Sequence, residues 1–392
     1  MSRARPFNED DIPQVATLTW RFLYGQESSL PAALEYYLQQ LFLSGPYADP
    51  DLPSFVYTDE RGAVVGFLGV ITRRMSSTWG PLRVAFGSNF IVRPSSRTSP
   101  ASLQLAKSFL SGAQDLSLSD TANETSQMIW TGFGGFAVPM SDRHWSRPLR
   151  PGRYALRAVS RVGEGTVSAA LRAACGPLCR LTDSVVSRIP FVPAQASEIQ
   201  SIPFDADILL AFLTKSSVGN AIRPTYDRSS LHWLLDFMRR TKARGVLRRV
   251  ALRDPAGSAV GCYVYYAKQG EIGEVVYLGA EDVYFDAVFD HLLYDAVLRG
   301  VIGLQGKLEP GIARRLSKRF CFFYGGRDHL LVHSRDSELT RLIQNGGLSL
   351  TRLDGEWCFK FGTSLVSRDG RRRMPKVPDS ASLALALRAL LF

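Results

Sequence analysis

A short segment near residue 95 combines residue types and spacing that suit the binding of an anion. Residues 92–103 read VRPSSRTSPASL, so an apolar run ends, a loop of small polar residues follows, and a helical pattern begins. Such a loop directs several backbone N–H groups to one place, and the helix N-terminus adds partial positive charge. Arg97 adds the capacity for a charge-assisted contact. Together these features predict a pyrophosphate site.

The elements around this segment must hold the loop between a strand and a helix. Apolar runs bounded by Gly and Pro predict strands, and apolar residues at helical spacing predict helices. The expected order is strand Leu82–Val92, helix Pro100–Leu110, strand Leu116–Leu118, helix Asn123–Trp130 and strand Phe136–Val138.

The second half of the chain repeats this order of elements. The pattern D-x-x-G-x-x-V-G begins at Asp59 and begins again at Asp254. Asp and Gly shape a hairpin turn, and the Val-Gly pair starts a strand whose backbone another element approaches closely. The repeated pattern and the matching order together indicate two lobes of similar plan.

The segment at residue 92 resembles the GNAT superfamily, the acyl-CoA-dependent N-acyltransferases. That family ends its central strand with Val-x-Pro, as Val92 and Pro94 do, and continues with Arg/Gln-x-x-Gly-x-Gly/Ala. Arg97 matches the first loop position and Ser102 the last small one, while Pro100 replaces the usual Gly and removes one N–H donor. The resemblance implies contacts to acetyl-CoA or another acyl-CoA co-substrate from Phe90, Ile91, Val92, Arg97, Thr98, Ser99, Ala101, Ser102, Asn123 and Trp130.

A second pattern of the family follows the next strand. Where the family has Asn-x-x-Ala-x-x-x-Tyr-x-x-x-Gly-Phe, this chain has Asn123, Ser126, Trp130 and Gly134-Gly135. In the family the Tyr hydroxyl often protonates the leaving thiolate. The indole of Trp130 is no acid near neutral pH, so another acid or water must serve. A helix cap at Asn123 and a core aromatic at Trp130 are the competing structural interpretation.

Amide formation from a thioester needs a base for the amine and a donor for the developing oxyanion. A backbone amide of the strand near Phe90 to Val92 is the expected oxyanion donor. The candidate bases near this strand in the sequence are Asp120, Glu124 and His144, and the sequence does not rank them.

The expected fold is α/β, with two GNAT-like lobes that are each a twisted mixed β-sheet flanked by helices. The expected ranges are an acyl-CoA-binding domain at 1–160, a connector at 161–200, a C-terminal domain at 201–365 and a tail at 366–392. The C-terminal domain is expected to be degenerate, because its matching loop reads Ala280-Glu281-Asp282 and is too acidic for a pyrophosphate.

Composition excludes several classes of protein. The chain is 45% hydrophobic and 21% charged, which are globular proportions, and it has no run of 18 apolar residues that would span a membrane. Its charge of +11 is spread along the sequence without a dense basic run, so no nucleic-acid partner is expected. Five cysteines and a polar N-terminus favour the cytoplasm.

Two histidine patterns favour structural interpretations over chemistry. His329 and His333 lie in a strand pattern, where four residues span ~13 Å, too far for one ion. Asp295 follows His291 by four and is expected to form a solvated pair on a helix face. No metal site is predicted.

The sequence therefore predicts transfer of an acyl group, most simply acetyl, from acyl-CoA to an amine of a small molecule or peptide. The alternative is a catalytically inactive GNAT-like protein that binds or scaffolds a partner. The missing Tyr and the loop Pro support that alternative.

Overall fold

The computed structural model describes residues 3–96, 100–160, 199–216, 221–326 and 328–361. These residues form two compact units, and each unit draws on both halves of the chain. The first unit comprises the described residues within Met1–Ser141, Ser217–Ala243 and Arg327–Arg368. The second comprises those within Asp142–Ser216, Arg244–Gly326 and Asp369–Phe392.

The described part of the first unit contains both helices and strands. Its strands are β1 (Arg3–Pro6), β2 (Phe55–Thr58), β3 (Val64–Ser77), β4 (Gly80–Val92), β5 (Leu116–Ala122), β6 (Phe136–Ala137), β9 (Ile222–Pro224) and β15 (His329–His333). Its helices are α1 (Ile12–Leu18), α2 (Ala32–Gln39), α3 (Ala101–Leu110), α4 (Glu124–Gly132), α7 (Arg228–Arg240) and α10 (Ser337–Gln344).

The strands of the first unit form one mixed sheet. Their order is β1-β2-β3-β4-β5-β15-β6, and β9 pairs with the far end of β3. β4 and β5 are parallel, and the other neighbours are antiparallel. The parallel pair needs a crossover, which α3 supplies.

Helices cover both faces of this sheet. Gly66 and Gly69 of β3 are three positions apart, so they face opposite sides. A Cβ on Gly66 would lie 2.9 Å from Leu105 of α3, and one on Gly69 would lie 2.4 Å from the Phe42 ring after α2. The core on the α3 side includes the buried rings of Phe109 and Trp130.

The second unit has a sheet of the same plan. Its strands are β7 (Arg143–Pro148), β8 (Gln200–Ile202), β10 (Val246–Arg253), β11 (Ala259–Ala267), β12 (Ile272–Ala280), β13 (Gly303–Lys307) and β14 (Phe322–Gly325). Its helices are α5 (Pro151–Ser160), α6 (Ala206–Ser216), α8 (Phe285–Leu298) and α9 (Ala313–Ser317). The order is β8-β10-β11-β12-β13-β7-β14, and only the β12–β13 pair in this described sheet is parallel.

The expected α/β architecture with two mixed sheets is therefore confirmed. The expected ranges 1–160 and 201–365 do not coincide with the compact units. β7 and α5 of the first range lie in the second unit, and β9, α7, β15 and α10 of the second range lie in the first unit. β15 of the C-terminal half pairs with β5 in the first unit, and β7 of the N-terminal half pairs with β13 in the second.

The repeated sequence pattern has the same geometry in both units. Asp59 and Asp254 each accept a backbone N–H from across their turns, and Gly62 and Gly257 have φ of 78° and 92°. The glycine that follows faces a crossover helix in each case, and a Cβ on Gly261 would lie 2.5 Å from Val288 of α8.

The structure agrees with one of the two histidine interpretations and contradicts the other. His329 and His333 lie in β15, as predicted, and no cluster of potential metal ligands occurs among the described residues. The expectation of a solvated His291–Asp295 pair is wrong, because both side chains are buried. Tyr263 lies 2.9 Å from His291 Nδ1, and Tyr265 donates to Asp295. No helix in the described part of the chain is long and apolar enough to cross a membrane.

Candidate active site

Strands β4 and β5 of the first unit are parallel neighbours that pair only over a short stretch. Val84–Phe86 pair with Leu116–Leu118, and both strands then continue without pairing each other. The opening between Gly87–Val92 of β4 and Ser119–Ala122 of β5 is called here the β4–β5 wedge. A gap between two strands exposes backbone N–H and C=O groups to a ligand, so the wedge is a site where an extended chain can bind.

β4 carries a bulge where the wedge opens. The β3–β4 register shifts between Ser88 and Ile91, so Asn89 and Phe90 together lie opposite the single residue Leu68. Asn89 has a φ of 49°, in the left-handed region that Asn tolerates better than most residues. Bulges interrupt the ladder and re-aim side chains, and they are frequent beside active sites.

The side chain of Asn89 is buried, with 7% of its surface exposed. Its Oδ1 lies 3.5 Å from the Ser88 hydroxyl. Its Nδ2 has no hydrogen-bond partner among the residues that the structure describes. A buried donor without a partner costs about 1–3 kcal/mol, so the position calls for a specific reason.

A carboxylate from the end of the described chain contacts both strands of the wedge. Glu356 is buried, with 5% of its surface exposed. Its Oε1 accepts hydrogen bonds from the Thr121 hydroxyl and, at 3.3 Å, from the Ser119 hydroxyl. The Ser88 hydroxyl of β4 also bonds to it. The backbone N–H of Glu356 donates to Asp120 Oδ1 at 2.8 Å, so the residue joins both strands.

The environment of Glu356 brings its proton exchange close to neutral pH. Burial raises the pKa of its carboxyl from 4.5 to about 7. The positive charge of Lys360 lowers this pKa, the negative charge of Asp120 raises it, and the hydroxyls of Thr121 and Ser88 lower it. A carboxylate with a pKa near the working pH is suited to accept and release a proton.

The segment that carries Glu356 is fixed by a buried arginine. Arg73 of β3 donates from Nη2 to the Leu353 carbonyl at 2.7 Å and from Nε to the Asp354 carbonyl at 3.0 Å. Its guanidinium lies 4.1 Å from the centre of the Tyr47 ring and 5.1 Å from that of Phe359. A planar guanidinium makes such a fork and such stacks at once, which an ammonium does not.

Gly355 lets this segment pass directly against β5. A Cβ at this position would lie 2.1 Å from Asp120 Oδ2. Any other residue would push the segment outward, and the adjoining Glu356 with it. The close approach therefore helps to set the position of the carboxylate.

The predicted pyrophosphate segment is described in part. Pro94–Ser96 form a 3-10 turn after β4, and α3 begins at Ala101 without a side-chain cap. Ala101 is buried and Ser102 is half-buried in the first turn of α3. The predicted contacts Arg97, Thr98 and Ser99 lie outside the described residues.

The three predicted bases lie in different surroundings. Asp120 of β5 is in the wedge, where it holds the Glu356 backbone. Glu124 is the exposed first residue of α4. His144 belongs to β7 of the second unit, where its ring stacks on Tyr324 with centres 5.6 Å apart. Of the three, the structure brings only Asp120 into contact with the wedge carboxylate within the described first unit.

The other predicted contacts with the co-substrate divide into two groups. Phe90 lies in the bulge, and Ile91 and Val92 are buried at the end of β4 beside the wedge. Asn123 caps α4 by accepting the Ser126 N–H at 2.9 Å. Trp130 is buried against Phe109 of α3, with ring centres 5.8 Å apart. Asn123 and Trp130 therefore have structural roles, as a helix cap and as a core residue.

Sequence reasoning missed Glu356 and Asn89. Glu356 precedes the apolar run Trp357-Cys358-Phe359, and a lone carboxylate against such a run is the only local signal. Its partners in β5 are about 235 positions earlier in the chain. Asn89 is marked only by being a polar residue within the apolar end of a strand.

The described wedge thus combines a carboxylate that titrates near neutral pH, a bulged strand and a buried amide donor. The carboxylate can take a proton from an amine, and the donors of the strand can hold an oxygen that becomes negative. This set suits attack of an amine on a carbonyl group.

The sequence matches no known family, whereas the structure matches solved structures of known fold. No family model and no curated protein matches the sequence. Solved structures match over most of the chain. A probable N-acyltransferase of unknown function from Enterococcus faecalis has a TM-score of 0.57 and 10% identity, covering 85% of this chain and 73% of its own.

Two further structures have the same architecture. A GCN5-related N-acetyltransferase from Anabaena variabilis has a TM-score of 0.56 and 10% identity, covering 86% of this chain and 73% of its own. The Saccharomyces cerevisiae N-myristoyltransferase with bound myristoyl-CoA has a TM-score of 0.52 and 12% identity, covering 84% and 77%. At such identities the likeness shows the fold alone, and that fold is the GNAT fold.

Proposed function

We propose that this chain, which has the GNAT fold, transfers an acyl group from an acyl-CoA to an amine. The observation that carries the proposal is the buried Glu356 carboxylate between the diverging strands β4 and β5. A scaffold without chemistry has no need of a carboxylate at this place, where desolvation is costly. Solved structures with this fold include N-acetyltransferases and an enzyme with bound myristoyl-CoA, which supports an acyl-CoA co-substrate.

The strand and loop of the sequence pattern support a position for the co-substrate. We place the pantetheine along Phe90–Val92 in the wedge and the pyrophosphate at Arg97–Ser102, where the N-terminus of α3 favours an anion. The thioester carbonyl then lies at the bulge, and the freed N–H groups of β4 hold its oxygen.

Glu356 acts as the general base. It takes one proton from the neutral amine as the nitrogen adds to the thioester carbon, and it afterwards releases this proton to solvent. The tetrahedral intermediate collapses to the amide, and the thiolate of coenzyme A leaves and takes a proton from water. No protein acid is needed for this step, because a thiol has a pKa of about 8.5.

The acyl group is acetyl in its simplest form, and the acceptor is a primary amine of a small molecule or a peptide. Cys262 and Cys321 are free and buried, which supports a reducing compartment, and we place the reaction in the cytoplasm.

Calorimetric titration of acetyl-CoA tests the placement of the co-substrate. Wild type is expected to bind at micromolar concentration, and Arg97→Glu is expected to lose at least tenfold in affinity by removing a charge-assisted contact of about 1.5–3 kcal/mol. Arg61→Glu makes the same charge change at an exposed turn and is the matched control. Silence of wild type toward acetyl-CoA and longer acyl-CoAs would favour a catalytically inactive binding protein.

A further inference from the structure

We infer that the side chain of Asn89 donates a hydrogen bond from Nδ2 to the thioester oxygen of the bound acyl-CoA. The inference rests on the proposed function, and it assigns to a side chain part of the work otherwise given to backbone amides. Asn89 is less than one-tenth exposed, and its Nδ2 has no partner among the described residues. The donor is therefore ready for a group that the protein itself does not supply.

The place of Asn89 fits this role. It lies in the bulge of β4, at the edge of the wedge where β4 has left β5 and its pairing with β3 is interrupted. An oxygen held there sits beside the strand along which a pantetheine would extend.

The orientation of the amide is set by its neighbour. Ser88 Oγ lies 3.5 Å from Asn89 Oδ1, so Nδ2 is the amide atom that is turned away from Ser88. The same Ser88 hydroxyl is in hydrogen-bond contact with Glu356. Base and donor are thus separated by a single hydroxyl. In the tetrahedral intermediate, the carbon that was the thioester carbonyl carries both groups. Its nitrogen is the one that Glu356 deprotonates, and its oxyanion is the one that Asn89 holds.

The backbone of Asn89 supports a functional interpretation as well. Its φ of 49° lies in the left-handed region, which Gly adopts most readily and Asn tolerates better than most other residues, and such conformations are frequent at functional sites. Gly takes this conformation without cost, yet the chain has a residue with an amide side chain. The chain thus has an amide donor at a position where the backbone conformation alone would favour Gly.

The step balances without any further reactant. The amine nitrogen forms a bond to the carbonyl carbon, and the π electrons move to the oxygen, which becomes the oxyanion that Nδ2–H and the strand amides hold. When the C–S bond breaks, these electrons re-form the carbonyl and the thiolate leaves. Asn89 exchanges no proton and strengthens its hydrogen bond as the charge develops.

The test compares wild type with Asn89→Gly and Asn89→Asp. Removal of one oxyanion donor is expected to lower kcat by about 100- to 1,000-fold while the KM for acetyl-CoA changes little. Asn89→Gly is expected to be at least as stable as wild type, since it removes the strain at φ 49°. Asn345→Gly, at the exposed C-terminal end of α10, is the control and is expected to retain activity.

A second measurement does not depend on turnover. Acetyl-CoA labelled with ¹³C at the thioester carbonyl is bound to each protein, and the carbonyl stretching band is recorded by infrared difference spectroscopy. A hydrogen bond from Nδ2 lowers this frequency, and both Asn89 variants are expected to lose part of that shift. If Asn89→Gly fails to fold, Asn89→Asp gives the same information, because it keeps the shape of the side chain and removes the donor.

The outcomes separate the two proposals. Wild-type activity together with unchanged kcat and an unchanged carbonyl band in the variants overturns the role of Asn89 and leaves the acyltransferase intact. Binding of acetyl-CoA without turnover counts against the proposed function, while the carbonyl band still decides whether Asn89 contacts the oxygen. Absence of acetyl-CoA binding overturns both.

Discussion

Glu356 occupies a position that destabilises its charged form. In the folded protein its carboxyl has a pKa of about 7 because of burial, against an ordinary value of 4.5. The folded chain therefore holds this proton more tightly than the unfolded chain does. The contribution of Glu356 to stability falls as the pH rises from 4.5 to about 7 and stays low above that.

Replacement of Glu356 by Gln removes this penalty. At pH 8 we expect Glu356→Gln to raise the free energy of unfolding by an amount on the order of 3 kcal/mol, with little change at pH 4.5. Urea denaturation at both pH values measures the difference. Glu124→Gln, at an exposed position, is the control and is expected to change stability by less than about 0.5 kcal/mol. A variant that is less stable at pH 8 would show that the carboxylate is well compensated.

Some of the site was predictable at the residue scale, and some was not. Val92, Pro94 and Ser102 stand in one local pattern, so the strand, turn and helix start that surround the loop were predicted from the sequence. Glu356 and Asn89 were missed because their significance lies in partners distant in sequence and in a register shift. Neither can be derived from local spacing.

At the scale of elements, each crossover helix packs against a glycine of its sheet. A Cβ on Gly66 would meet the terminal methyl of Leu105 at 2.9 Å, whereas one on Gly261 would meet both methyls of Val288, at 2.5 Å and 3.0 Å. A terminal methyl of Leu can move by a rotamer change, but a β-branched side chain in a helix is restricted.

Gly261→Ala is therefore expected to cost more stability than Gly66→Ala. We expect about 2–3 kcal/mol for Gly261→Ala and about 1 kcal/mol or less for Gly66→Ala, as overpacking of a core predicts. Thermal or chemical denaturation of the two variants under one set of conditions measures the difference. Equal costs, or a larger cost at Gly66, would contradict the account of the α8 packing.

The length of strand β5 could not be predicted from its local sequence. Strand β5 was predicted as Leu116–Leu118, where the apolar run stops, but it extends to Ala122. Pairing with β15 extends it through a polar stretch, since His329 pairs with Ala122 and Leu331 with Ser119. The propensity of a strand depends on its neighbours in the sheet, and the neighbour here comes from the other half of the chain.

At the scale of the whole molecule, the exchange of β7 and β15 decides which residues form a unit. Element order predicted two lobes of the same plan, and both sheets show that plan. The contiguous ranges could not reveal the exchange, because a β-strand pattern does not show which sheet it joins. A stretch of the chain cut at residue 160 carries β7 and lacks β15.

Each half of the chain is therefore expected to be unstable alone. Fragment 1–160 lacks the strand that covers β5, and fragment 199–361 lacks the strand that covers β13. We expect neither fragment to show a cooperative thermal transition, because an exposed central strand edge leaves backbone groups unpaired. Coexpressed with separate affinity tags, the two are expected to copurify. A cooperative transition in fragment 1–160 alone would contradict this view of the unit.

The pH dependence of acyl transfer is the measurement that tests the central claim most directly. With acetyl-CoA and an amine that wild type accepts, kcat/KM is expected to rise with pH through a midpoint near 7, as Glu356 loses its proton. Glu356→Gln is expected to lower kcat/KM by about 100- to 10,000-fold and to lose this limb of the profile. Wild-type rates and the same midpoint in Glu356→Gln would contradict the assignment of Glu356 as the base.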